Sequence, residues 1–194
     1  MFFNKMKKLG FTMIELLIVI AVLGVLAVAV LSAINPIEQI NRGKDTGSRS
    51  DAEQLLSAID RYYTTQGVYP WQEDSDAPDE LAWTTATDVA DGATSPVTML
   101  SKLASTTGAA EIKQSFVTRI SGANYNSLYL YFDGGNGDST YVCFKPDSGA
   151  FALEAATRCN GVAGAGLPGD LSPAITGTPA APLCTLGEEY ICLP

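Results

Sequence analysis

Histidine is missing from this chain altogether, and no cysteine precedes Cys143. The first absence removes the commonest general base and the commonest metal ligand. Without it, an exported enzyme would need a Lys or carboxylate base beside its nucleophile, and no such constellation is visible. Basic residues are also scarce: 12 Lys and Arg stand against 21 Asp and Glu, a formal net charge of −9. So acidic a surface argues against a domain that grips nucleic acid through its phosphates, and no direct nucleic-acid site is visible. The 194 residues suffice for one domain plus a membrane helix.

The longest absence is of charge. Residues 16–34 contain only Leu, Ile, Val, Ala, one Gly and one Ser. A run of roughly 20 apolar residues, at about 1.5 Å of rise each, crosses a bilayer core. Lys5, Lys7 and Lys8 before it should hold the N-terminus in the cytoplasm and place the rest of the chain outside. A secretory signal has a shorter apolar region of roughly 7–15 residues and a small-residue cleavage site. Here Ala27-Val28-Ala29 and Ser32-Ala33 are too unspecific to require a cut. A plain single-span anchor explains the length and the lysines but leaves Glu15 without a purpose. A carboxylate costs on the order of 2.5–3.5 kcal/mol at the centre of a membrane helix, and one at its edge usually has a partner. A cut between Gly10 and Phe11 would expose an ammonium group one helical turn from Glu15. Within one subunit that spacing allows an intramolecular pair. Between subunits it would set the register of packed helices, because buried opposite charges avoid their desolvation cost only where they meet.

Gly10-Phe11-Thr12-Met13-Ile14-Glu15, with Lys7-Lys8 before it and a long apolar helix after it, resembles the class III signal of type IV pilins and type II secretion pseudopilins. The resemblance implies a prepilin peptidase that cuts after Gly10 on the cytoplasmic side and N-methylates Phe11. It implies that the apolar helix stays on the protein as the core of a helical filament of identical copies, extruded by an inner-membrane assembly platform. Glu15 would pair with the amino group of Phe11 in a neighbouring copy. The location implied is the cytoplasmic membrane as a single-pass precursor, then an extracellular filament. Loss of residues 1–10 removes three lysines and no acid, leaving nine basic residues against 21 acidic and moving the charge from −9 to −12.

Beyond the apolar run, Asn35-Pro36 interrupts the pattern. Proline costs about 3 kcal/mol in a helix interior. Two readings stand side by side: a kink or local melting between Gly24 and Pro36, as the resemblance implies, or a simple break with a second helix opening at Pro36. Residues 36–66 are amphipathic, with Ile37, Ile40, Leu55, Leu56, Ile59, Tyr62 and Tyr63 at helical spacing. The polar stretch 42–51 between them contains Gly43 and Gly47 and reads as a solvated stalk. It lacks the spacing of a phosphate-binding loop. Gly67 and Pro70 close the helix. If continuous over residues 11–66, it would be ~84 Å long.

Residues 67–114 read as a variable connection, acidic and loop-like at first, with a short helix at 96–104. Strands are expected at 115–120, 128–132, 140–144 and 150–155, forming an antiparallel meander over 115–159 on the amphipathic half-helix. The fold class is therefore α+β: a long N-terminal helix packed on an antiparallel sheet, type IV pilin-like. Residues 160–194 form a Gly/Ala/Pro-rich tail with few large apolar side chains, expected as a surface loop tied down by a disulfide. Tyr62, Tyr63, Tyr69 and Trp71 read as packing at the junction of helix and head.

Cys143, Cys159, Cys184 and Cys192 lie on the exported side and read as two disulfides, since their spacing lacks the tight pairs of a zinc site. Four cysteines allow three pairings and the sequence does not choose; the two shortest loops, Cys143–Cys159 and Cys184–Cys192, are the expectation. Asp133, Asn136 and Asp138 on a glycine-rich turn suit either a hairpin or a structural calcium ion, which takes oxygen ligands. No cofactor is required. The whole reads as a structural subunit for a surface filament serving adhesion, motility or DNA uptake. The acidic head and paired cysteines favour that over a major or minor pseudopilin of a secretion system. A membrane-anchored binding domain that never polymerises is the rival from another class.

Overall fold

The computed structural model describes residues 10–89, 98–104, 110–135, 137–159, 168–171, 183–185 and 188–194. The chain divides into two compact units, Met1–Gln39 and Ile40–Pro194.

The first unit is built on α1 (Met13–Ala33), which buries none of its 21 residues. Its mean hydropathy is 3.1, and its length of about 32 Å at 1.5 Å per residue matches a hydrocarbon core of about 30 Å. α1 runs unbroken through Gly24 and stops where Ile34 turns extended (φ −103°, ψ 133°). Pro36 disfavours helical backbone at Asn35, the residue directly ahead of it, so the helix ends before the Asn-Pro pair. α2 (Pro36–Gln66) then opens on Pro36, with Asn35 Oδ1 accepting from the Glu38 amide at 3.4 Å. The break with a second helix is thus what the structure holds, and a single helix over residues 11–66 is not.

In the second unit, α2 buries Asp45, Ser48, Asp51, Ala52, Leu55, Ala58 and Ile59. The spacing of three, four and seven is one helix face, so the stretch 42–51 is no fully solvated stalk. Its inward side is polar but buried. α2 ends at Gly67, whose positive φ of 73° lets its amide reach the Tyr63 carbonyl at 2.8 Å.

Four antiparallel strands form the main sheet in the order β1 (Leu81–Thr85), β2 (Leu128–Phe132), β3 (Tyr141–Phe144) and β6 (Ile191–Leu193). A small pair, β4 (Cys184–Thr185) and β5 (Glu188–Glu189), precedes β6. Alternation along β2 and β3 sends Leu128, Leu130, Phe132, Val142 and Phe144 into one core with Leu55, Ile59, Met99, Leu103, Phe116 and Ile191. Tyr131, Tyr141, Cys143 and Cys192 join Leu171, Leu183 and Tyr190 in a second cluster. In the β2–β3 turn, Gly134 has φ 83°, and a Cβ there would sit 3.0 Å from Asp79 Oδ1 and 3.1 Å from Glu80 Cβ. The turn closes on the 79–80 loop only because that position is glycine.

Four expectations are corrected. Residues 115–120 lie in a helix, α4 (Gln114–Ile120), because Phe116 and Ile120, four apart, are the buried pair. Residues 150–155 lie in a helix, α5 (Gly149–Cys159), opened by Ser148, whose Oγ accepts from the Phe151 amide at 3.4 Å. Residues 115–159 are therefore two strands flanked by two helices, and the sheet is completed by β1 from the connection and β6 from the tail. The tail is not one loop, since it supplies β4, β5 and β6; of the rest of it only 168–171, 183, 190 and 194 are described. The short helix near 96–104 is α3 (Met99–Leu103), with residues 96 and 97 outside the described ones.

The disulfide pairing is the other correction. Cys143 and Cys192 face each other in the β3–β6 register with Cα atoms 4.0 Å apart and are bonded. Cys159, at the end of α5, bonds Cys184 with a Cα separation of 5.6 Å. Strand pairing, and not loop length, selects the partners. The Cys143–Cys159 and Cys184–Cys192 pairs do not form.

Candidate assembly site at the N-terminal helix

The first turn of α1 brings together the residues that the sequence singles out. Thr12 is the N-cap, with extended backbone (φ −78°, ψ 151°). Its amide donates to Glu15 Oε2 at 2.8 Å and its hydroxyl donates to the same oxygen at 2.6 Å. In return Thr12 Oγ1 accepts from the Glu15 amide at 3.3 Å. This is a capping box, which satisfies two of the amides a helix start leaves without partners. The negative carboxylate also lies at the positive end of the helix dipole.

Glu15 therefore has an intrachain job that its place in the motif does not reveal. Its other oxygen, Oε1, accepts no hydrogen bond among the described residues. Gly10 and Phe11 lie just outside the helix. Phe11 is 84% exposed, and nothing lies within 4 Å of where a Cβ on Gly10 would stand. The bond between them is accessible, and a cut there would release an amine one residue before the cap.

Residues 5–31 match the family model described as the prokaryotic N-terminal methylation motif. This match supports a type IV pilin or pseudopilin family for the N-terminal segment. Comparison with curated proteins and with solved structures finds no match. The family's proteins are structural subunits and not enzymes, and the motif implies processing by a prepilin peptidase and anchoring in the membrane. The helix and four-stranded antiparallel sheet agree with the type IV pilin fold.

The head carries its own polar constellations, which sequence reasoning missed. Asp45 is fully buried on α2 and accepts from the amides of Asp147 at 2.9 Å and Ser148 at 2.8 Å, and from the Ser148 hydroxyl at 2.5 Å. It thereby holds the start of α5 against α2. Asp51, also buried, accepts from Arg119 and from the Tyr125 hydroxyl at 2.7 Å. Burial, and then the hydrogen bond to Asp51, pushes the Tyr125 phenol well above its ordinary range. Arg49 lies over the Phe151 ring, 5.0 Å from its centroid, and bonds Glu154, which also takes Arg158. Thr12 could have been found from the T-x-x-E pattern at 12–15; Asp45 has no local signal, because its partners are over 100 residues away.

Of the calcium candidates, Asp133 Oδ1 accepts from the Tyr131 hydroxyl at 2.8 Å, while Asn136 lies outside the described residues. Among the described residues no cluster of three or more His, Cys, Asp or Glu is arranged to hold a metal. Tyr63, Tyr69 and Trp71 stack in sequence, with centroids 4.5 and 4.7 Å apart, and Phe132 closes the stack.

Proposed function

We propose that the protein is a pilin of a surface filament for adhesion, motility or DNA uptake, stored in the cytoplasmic membrane and assembled through α1 after cleavage at Gly10. The observation that carries this reading is the first turn of α1. Glu15 spends one oxygen on its own cap and keeps the other for a charge that none of the described residues supplies. In the reading, that charge is the methylated amine of Phe11 in the next copy. Its pairing with Glu15 offsets the desolvation of both groups only when helices pack in one register. The inner-membrane assembly platform and further copies of the chain are the partners.

Two variants separate assembly from capping. Glu15→Gln keeps the hydrogen-bonding geometry of a capping box, in which Glu and Gln are interchangeable, but loses the charge. Glu15→Ala loses both. Breaking one member of a buried pair costs about 3–5 kcal/mol per contact, so both variants should be cleaved normally yet yield at least about tenfold fewer sheared filaments. Normal filaments from Glu15→Gln would contradict the pairing and leave Glu15 as a cap alone.

A further inference from the structure

Beside the first turns of α2 in the second unit lies a cavity of about 560 Å³, within the range of small-molecule sites, about 300–1,000 Å³. Its border has little excess charge of either sign. Arg119 is paired with Asp51, Lys145 is engaged within the chain, and Lys44 and Asp147, both exposed, offset each other. Such a wall selects neither phosphate and carboxylate groups nor cations. The rest of it is uncharged and polar: the phenols of Tyr125, Tyr129 and Tyr190, the amides of Asn124 and Asn126, and the hydroxyl of Ser127.

Most of these groups are held in place by the fold. Trp83 stacks on Tyr129 with centroids 5.1 Å apart, and Tyr190 meets the two rings edgewise at 5.3 and 5.2 Å. The Tyr125 hydroxyl donates to Asp51 at 2.7 Å, and Asn126 Nδ2 donates to the Lys145 carbonyl at 2.5 Å. A wall already ordered loses little side-chain entropy when a ligand binds. Asn124 and Ser127 are exposed, and their side chains form no hydrogen bond among the described residues, so both are open to a ligand. The larger cavity along α2 and α4, of about 720 Å³, is built differently. There Arg61 is tied to Glu111 and Ser57, and the aromatic side chain, Phe116, is buried.

We infer that the cavity bordered by Asn124, Tyr125 and Tyr129 binds a neutral glycan through a pyranose ring. A pyranose presents two chemistries at once. Its axial C–H groups make an apolar face that packs on an aromatic ring, and its hydroxyls each donate and accept hydrogen bonds. Tyrosine supplies rigid amphipathic surface for the first, and asparagine and serine supply adaptable hydrogen bonds for the second. A ligand without ionised groups matches the balanced border. The inference does not rest on the filament reading, because a single copy carries the whole site. In a filament the site would recur in every copy and raise avidity for a surface bearing many such sugars.

The test is a glycan array probed with the full-length protein in a detergent without a sugar headgroup, so that the detergent does not compete. Binding to neutral hexose or N-acetylhexosamine glycans is the expected result. Tyr129→Ala should abolish it, but Tyr129 also packs within the head, so a milder variant decides. Asn124→Ala with Ser127→Ala removes two exposed side chains, should leave the thermal midpoint unchanged, and should weaken binding about tenfold, the scale of one or two hydrogen bonds. Failure to bind any neutral glycan would overturn the inference. So would binding confined to sialylated or sulfated glycans, or undiminished binding by the Asn124 and Ser127 variant. None of these outcomes touches cleavage after Gly10 or filament yield, on which the filament reading stands or falls separately.

Discussion

α1 and the inward face of α2 are adjacent in sequence and opposite in design. α1 is apolar on every side and buries none of its residues within its own chain. α2 has a single buried face, which begins with Asp45, Ser48 and Asp51 and continues with Ala52, Leu55, Ala58 and Ile59. A helix hydrophobic all round belongs in lipid or among other helices, whereas a one-sided helix belongs on a folded domain. The difference teaches where each helix finds its stability. α2 draws on contacts inside the head, several of them directional polar bonds. Among the described residues α1 makes no such contacts, so it is suited to lipid or to other helices. The single charge that breaks its uniformity, Glu15, lies in its first turn.

If stability is divided this way, damage to the head should leave the membrane helix untouched. The largest effect is expected at the cross-strand disulfide. Replacing Cys143 and Cys192 together by serine opens a loop of 49 residues and should destabilise the head by about 4 kcal/mol on the chain-entropy account. Thermal denaturation in detergent should show a clearly lower midpoint, while membrane association in cells stays unchanged. Loss of membrane association would break the comparison.

Asp45 comes next. Asp45→Ala strands two backbone amides and a buried hydroxyl, each previously bonded to the carboxylate, and should cost roughly 3 kcal/mol. Asp45→Asn retains an acceptor oxygen and should cost less. An Asp45→Ala protein as stable as the parent, measured by denaturant unfolding, would mean that the polar half of the α2 face is incidental to the fold.

Acid should produce a smaller effect, confined to the head. Burial tends to raise the Asp170 carboxyl, but bonds from the Ser139 amide at 2.9 Å and the Tyr141 hydroxyl at 2.8 Å outweigh it and hold the group below its ordinary value. A folded-state value below the unfolded one contributes stability at higher pH, and that contribution is lost as protonation sets in below about pH 4. Glu154 is depressed in the same direction; burial opposes it, and Arg49 and Arg158 prevail. The head should therefore weaken as pH falls below about 4, and Asp170→Asn should flatten that acid limb. An unchanged acid limb in Asp170→Asn would show that its bonds to Ser139 and Tyr141 contribute nothing.

The legibility of the sequence follows the same division. Over α1 the signal is local: an uncharged run, an acid and glycine at fixed spacing, and a proline that ends the element. Residues 128–132 and 140–144 were legible as strands because aromatic and β-branched residues crowd there between glycine-rich turns. Residues 115–120 misled because Val117, Thr118 and Ile120 favour strands, although Phe116 and Ile120 are spaced for a helix. In residues 150–155 the helix formers Ala, Leu and Glu after Ser148 were the better guide. Asp45 and the disulfide pairing were illegible for one reason. Each depends on a partner brought close by the fold, and no short window of sequence contains it.

The most direct test of the account is the mass of the N-terminal peptide from protein recovered from its own cells. A terminus at N-methylated Phe11 is the predicted result, with Glu15 then one helical turn from a new amine. A terminus at Met1 would make the chain an anchored module, and one beyond Ala29 would mark ordinary secretion; either would contradict assembly through α1.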